Sequence, residues 1–241
     1  LSEIPSSPVD PNFSNTVGGS TRRTVIRAAA WTVPVIALAT AAPAQAASRC
    51  VNKTNVTALE TGTIVTTIPF AGSGTPPVTA TLSYAGYGGW VGSPTNGTVQ
   101  NGPQGGMSAD LKWIKFENEH ANSGSGLNVK LVFSEPVTNL SFTLFDLDWA
   151  PGNHRDAVSY ITPPSSSARA SELRGDGSTA SPWRKRDEGE IPSTSLNGNV
   201  KLNYTGPISV VEFKYFQYLQ NLGGDHNQLI GLSDLTFDKC L

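Results

Sequence analysis

Three aspartates lying close together are the residues of this chain best suited to chemistry. Asp146 and Asp148 stand two apart in Thr143-Leu144-Phe145-Asp146-Leu147-Asp148, and Asp156 follows eight residues after Asp148. Residues at i and i+2 of an extended strand point to the same face, so this spacing sets two carboxylates side by side at a strand end. Such a pair repels, and a hard cation, a nearby arginine or a shared proton must relieve it. Ca²⁺ takes roughly six to eight oxygen ligands. Asp146, Asp148, Asp156 and carbonyls of the Pro151-Gly152-Asn153 turn would supply them, although not at EF-hand spacing. Two alternatives use the same residues: Arg155 pairs with one aspartate, or the aspartates cap the turn through backbone amides.

Other candidates are thinner. Tyr84, Tyr87 and Trp90 lie in or beside the glycine-rich segment 86–106, where Tyr87 and Trp90 could stack on a sugar ring or, alternatively, cover an edge of the core. The three histidines, His120, His154 and His226, form no His-Glu-x-x-His pair, and no Gly-x-Ser-x-Gly elbow is present. Glu117, Glu119, Asp146 and Asp148 qualify as glycosidase carboxylates by type alone, and Asp225-His226 could be a catalytic pair or metal ligand, although a polar loop pair is the commoner explanation. No catalytic residue is therefore assigned, and a secreted hydrolase acting on polysaccharide is kept as the alternative to a binding role.

The elements that must position these groups are strands. Period-two patterns rich in Val, Ile, Thr, Phe and Tyr run over 63–68, 79–84, 111–117, 127–133, 139–146, 157–162, 199–204, 208–216 and 229–237. Gly, Pro, Asn and Ser clusters separate them, and no long amphipathic helix intervenes, although 107–122 could form a short one. This pattern predicts an all-β fold, an antiparallel β-sandwich of jelly-roll type. Residues 163–192, rich in serine and mixed charge, are expected to be a hydrated loop.

The first 46 residues are read apart from the fold. Arg22 and Arg23 stand together before an apolar run from Ala28 to Ala42 that only Thr32, Pro34 and Thr40 interrupt, and Ala44-Gln45-Ala46 supplies a small-x-small site. This arrangement resembles a twin-arginine (Tat) signal peptide, which implies a disordered leader, a signal helix, cleavage after Ala46 and passage through the Tat translocase and signal peptidase. The apolar run is short of the ~20 residues a spanning helix needs, so no permanent membrane span is expected. The expected division is leader and signal over 1–46 and one β-sandwich over 47–241.

Removing 46 of the 241 residues leaves 195. The net charge moves from −2 to −3, because Arg22, Arg23 and Arg27 leave with only Glu3 and Asp10. That balance offers nothing to neutralise phosphate backbones, so nucleic acid is not an expected partner. Cys50 and Cys240 are the only cysteines and sit at the two ends of this unit. In an exported protein such a pair reads as a disulfide, here clasping the first and last strands. Its 190-residue loop is worth at most about 5 kcal/mol of lost unfolded-state entropy.

Phe142-Thr143-Leu144-Phe145-Asp146-Leu147-Asp148 with Asp156-Ala157-Val158, then Tyr204-Thr205-Gly206-Pro207-Ile208 and Ile230-Gly231-Leu232-Ser233-Asp234-Leu235-Thr236-Phe237, resembles β-sandwich modules of bacterial surface and adhesin-like proteins. With its leader, the chain is similar to small exported proteins of actinobacteria. The resemblance spans about 110–241 and implies a secreted or cell-surface protein that binds a glycan or a protein partner. It carries over no catalytic residue.

Overall fold

The computed structural model describes residues 51–53, 56–70, 73, 76–89, 91–119, 123–218 and 228–239. Arg22, Arg23, Ala46, Cys50, Trp90, His120, Asp225, His226 and Cys240 lie outside them, as does the signal region. Among the described residues no helix is long and apolar enough to cross a membrane.

Among the described residues, fifteen strands join into one antiparallel, curled sheet. The first five are β1 (Val51–Lys53), β2 (Thr67–Pro69), β3 (Thr79–Tyr87), β4 (Val99–Asn101) and β5 (Lys112–Asn118). The middle five are β6 (Gly126–Phe145), β7 (Trp149–Ala150), β8 (His154–Tyr160), β9 (Ser166–Arg169) and β10 (Leu173–Arg174). The last five are β11 (Trp183–Lys185), β12 (Val200–Tyr204), β13 (Ile208–Gln217), β14 (Gln228–Leu232) and β15 (Thr236–Asp238).

Strand β6 organises the whole. Its first half pairs with β3 and β13, and its second half with β12, β14 and β15. The inward residues of the first half are odd-numbered (Leu127, Val129, Leu131, Phe133), and those of the second half are even-numbered (Leu140, Phe142, Leu144). A one-residue bulge makes the switch. Thr236 pairs with Ser141 and Asp238 with Thr138, which leaves one extra residue on β6. Asn139 takes a left-handed φ of 51° there, a conformation asparagine tolerates better than most residues. A second irregularity, opposite Ile208–Val210, falls where Pro136 offers no amide to the ladder. These breaks let one chain segment serve both arms of the curl.

The arms close over a shared core. Phe116 of β5 meets Phe213 of β13 edge-on at 6.1 Å, and Phe237 of β15 meets Phe70 at 4.6 Å. Alternating burial along β6, β12 and β13 supplies much of the remaining core.

Several sequence expectations change. The patterns at 127–133 and 139–146 form one strand, while 229–237 splits into β14 and β15. In the gap, the Ser233 hydroxyl accepts a hydrogen bond from the Thr143 amide at 2.9 Å. No helix forms among the described residues of 107–122, where β5 runs instead. Segment 163–192 is no simple hydrated loop: it contributes β9, β10 and β11, and Trp183 is only 1% exposed. The first and last strands do pair, Val51 with Asp238 and Lys53 with Thr236, while the cysteines beyond them lie outside the described residues.

Candidate metal centre

Strands β7 and β8 form a tight hairpin around Pro151-Gly152-Asn153. Gly152 has a φ of 74°, which a turn there requires and glycine adopts without strain. The register pairs Trp149 with Arg155 and Ala150 with His154. Carried one residue further, it sets Asp148 opposite Asp156, and the Asp156 amide donates to the Asp148 carbonyl at 2.9 Å. Because side chains alternate, Asp148, His154 and Asp156 share one face of the hairpin while Trp149 and Arg155 share the other.

The first face is a compact group. One ligand atom from each of Asp148, His154 and Asp156 lies within 4.8 Å of the others. His154 Nε2 is 2.8 Å from Asp148 Oδ1. The Asp148 amide donates to Asp156 Oδ2 at 3.2 Å, and the Tyr215 hydroxyl donates to Asp156 Oδ1 at 2.8 Å. Asp156 is fully buried, His154 is 8% exposed, and the Asp148 side chain is 13% exposed. Burial, then the Asp148 charge, push the Asp156 carboxyl well above the usual carboxylate range against the pull of its hydrogen bonds. The Tyr215 phenol is driven up in turn by burial and by Asp156. His154 Nδ1 is buried without a hydrogen-bond partner.

Asp146 stands beside this group rather than in it. Its φ of 71° ends the extended strand, so the same-face rule for i and i+2 does not connect it to Asp148. Gln104 Nε2 donates to its carboxylate instead. Burial first, then the Asp148 charge, raise the Asp146 carboxyl to about 7. Glycine makes this approach feasible: a Cβ on Gly105 would lie 2.5 Å from Phe145 Cβ, and one on Gly231 2.0 Å from the Phe145 ring. The i, i+2 pair that does share a face is His154 and Asp156, in a segment whose run of polar residues masks it as a strand. Applying the period-two rule one strand later finds the histidine.

Arg155 pairs with neither aspartate. Its guanidinium lies 3.9 Å from the Trp149 ring centroid and donates from Nε to the Lys185 carbonyl at 3.2 Å and from Nη2 to the Arg186 carbonyl at 3.2 Å. Among the described residues, the other sequence candidates are not brought to this site. Tyr87 ends β3 half-buried, with Lys214 Nζ 5.2 Å from its ring centroid. Tyr84 packs on the core and meets Phe116 edge-on at 6.5 Å, the role of covering a core edge. Glu117 is taken up by a polar knot with Ser93, Thr95 and Lys115. No protein-family description, curated protein or solved structure matches this chain.

Proposed function

We propose that this is an exported, non-catalytic extracellular or cell-surface domain that holds a divalent cation at Asp148, His154 and Asp156. In this reading the twin-arginine leader is removed after export, Cys50 and Cys240 form a disulfide, and the curled sheet is a jelly-roll-like sandwich whose loop end binds a glycan or protein partner. The observation that carries the metal is the convergence of two carboxylates and an imidazole within 4.8 Å in a buried site. Like charges crowded out of water need a counter-charge, and a cation supplies it. An imidazole beside two carboxylates suits Zn²⁺ or Mn²⁺, whereas Ca²⁺ prefers an all-oxygen shell. The cation would displace the proton between His154 Nε2 and Asp148 Oδ1. It would pin the β7–β8 hairpin to β13 through Asp156 and Tyr215.

The test is thermal melting of the metal-stripped protein with Zn²⁺, Mn²⁺ or Ca²⁺ added, beside a chelator control. At ~100 times Kd a bound cation adds about 2.7 kcal/mol, which raises the midpoint by roughly 5–10 °C for a domain of this size. The rise should vanish in His154→Ala. A midpoint that no cation moves overturns the metal reading.

A further inference from the structure

The reverse face of the same hairpin carries a second, oppositely charged site. Arg174 of β10 pairs directly across from Arg184 of β11, and Arg184 pairs with Ala157 of β8. Arg155 lies two residues from Ala157, so the register brings all three arginines onto one face of three neighbouring strands. Like charges directly opposite on adjacent strands are destabilising unless something offsets them.

Nothing among the described residues does so fully. No ion pair joins Arg155, Arg174 or Arg184 to a carboxylate. The nearby Lys185 is the partner of Glu172, and Asp187 only weakly offsets the charge on Arg155. The Nε atoms of Arg174 and Arg184 are buried and lack hydrogen-bond partners. Burial, followed by the charges of Arg174 and Arg184, brings the Arg155 guanidinium down to about 10. The guanidiniums are nonetheless held in place. Arg155 is sandwiched between Trp149 and Tyr218, at 3.9 and 5.2 Å from the ring centroids, and Arg184 stacks on Tyr218 at 4.3 Å. Arg184 Nη1 also donates to the Pro182 carbonyl at 2.8 Å. Stacking orients a guanidinium while leaving its in-plane donors free, which is how arginine is used to grip oxyanions.

We propose that Arg174 and Arg184, backed by Arg155, Trp149 and Tyr218, form a binding site for an oxyanion: the carboxylate, sulfate or phosphate group of a ligand. Arg174 and Arg184 are half-exposed and offer the donors, while buried Arg155, tied to the Lys185 and Arg186 carbonyls, supplies fixed positive charge behind them. The site does not depend on the cation at Asp148, His154 and Asp156, and its test is run in chelator so that the two readings fail separately.

The probes are sodium phosphate, sodium sulfate and a tri-galacturonate, each titrated by isothermal calorimetry and amide NMR against sodium chloride at matched ionic strength. At least one oxyanion should bind saturably and shift the backbone amides of residues 173–186, and the arm that binds most tightly identifies the chemical group. Arg174→Gln and Arg184→Gln should each weaken binding by about tenfold, since each removes a charged hydrogen-bond donor. The double variant should melt above the parent in chloride, because the cross-strand repulsion is gone, and should show no oxyanion response. Two results overturn the proposal: no saturable response from any of the three probes, or binding by the double variant equal to that of the parent.

Discussion

Glu117 on β5 and Asp156 on β8 are both buried carboxylates on strands of one sheet, yet their surroundings drive them in opposite directions. Burial alone would raise Glu117, but hydrogen bonds from Thr95, Lys115 and Ser93 and the Lys115 charge outweigh it and hold the carboxyl below its usual range. Asp156 receives one hydroxyl and one amide, and among the described residues it faces Asp148 without any ammonium or guanidinium as partner. The difference lies in what has been supplied to the two groups rather than in their depth. Glu117 sits in a finished structural knot, and Asp156 sits where a positive charge is still wanted.

Removing a carboxylate should therefore have opposite consequences at the two places. Glu117→Ala leaves the Lys115 ammonium without its carboxylate in a largely buried setting and leaves the Ser93 hydroxyl with only the Thr95 hydroxyl. We expect a loss of about 3–5 kcal/mol in urea denaturation at neutral pH. A loss below ~1 kcal/mol would mean that water replaces the carboxylate and that the knot is not finished in the sense argued.

The pH dependence separates the two regions next. The folded-state value of Glu117 is depressed, so its contribution is present above the unfolded carboxylate range near ~4 and is lost as pH falls through the depressed value. Asp146, beside Asp156, is raised to about 7. Its folded state favours the protonated form, so stability is full below ~4 and drains away as pH rises toward 7. Asp146→Asn removes this penalty and keeps a residue that tolerates the φ of 71°. In chelator at pH 8 the variant should be more stable than the parent by about 4 kcal/mol, with the two converging near pH 4. Parallel stability curves for the two proteins would break the comparison.

Asp156→Asn tests the same idea at the fully buried group. The amide still accepts from Tyr215 and ends the repulsion with Asp148, but the Asp148 amide loses an acceptor. The balance should stabilise the metal-free protein by about 1 kcal/mol and abolish its response to added cation. A variant that is weaker in chelator and still shifts with Zn²⁺ or Mn²⁺ places the cation elsewhere.

The sequence made some of this visible and hid the rest for identifiable reasons. Leu127, Val129, Leu131 and Phe133 alternate cleanly, as do Leu140, Phe142 and Leu144, so the strands of β6 and the all-β class could be read directly. That the two runs are one strand depends on a bulge, whose trace is the polar pair Thr138-Asn139 where the phase changes. Strand β8 was expected to begin at Ala157, because His154-Arg155-Asp156 looks too polar for a buried strand. Its partners Tyr215, Gln217 and the Lys185 carbonyl come from distant segments and make that burial tolerable. For the same reason Trp183-Arg184-Lys185 read as hydrated. That Asp148 and Asp156 come together was legible, that His154 joins them was not, and only the backbone reveals the left-handed turn that sets Asp146 apart from the group.

The smallest effect gives the sharpest comparison, since it removes a single hydroxyl from each carboxylate. Thr95 is exposed and donates to Glu117 Oε2, which also accepts from Ser93 at 3.1 Å and Lys115 at 3.0 Å. In Thr95→Val those two donors remain and water can reach the vacated position, so the loss should be about 0.5 kcal/mol. Tyr215 is fully buried, and Tyr215→Phe leaves Asp156 with the Asp148 amide as its remaining donor at 3.2 Å. No water is at hand to compensate, so in chelator the loss should be about 1.5 kcal/mol, the upper part of the range for one hydrogen bond. Bound cation should shrink the second value and leave the first unchanged, because the metal then carries the charge on Asp156. Equal losses at both sites, insensitive to cation, would mean that the two carboxylates are alike and that depth alone distinguishes them.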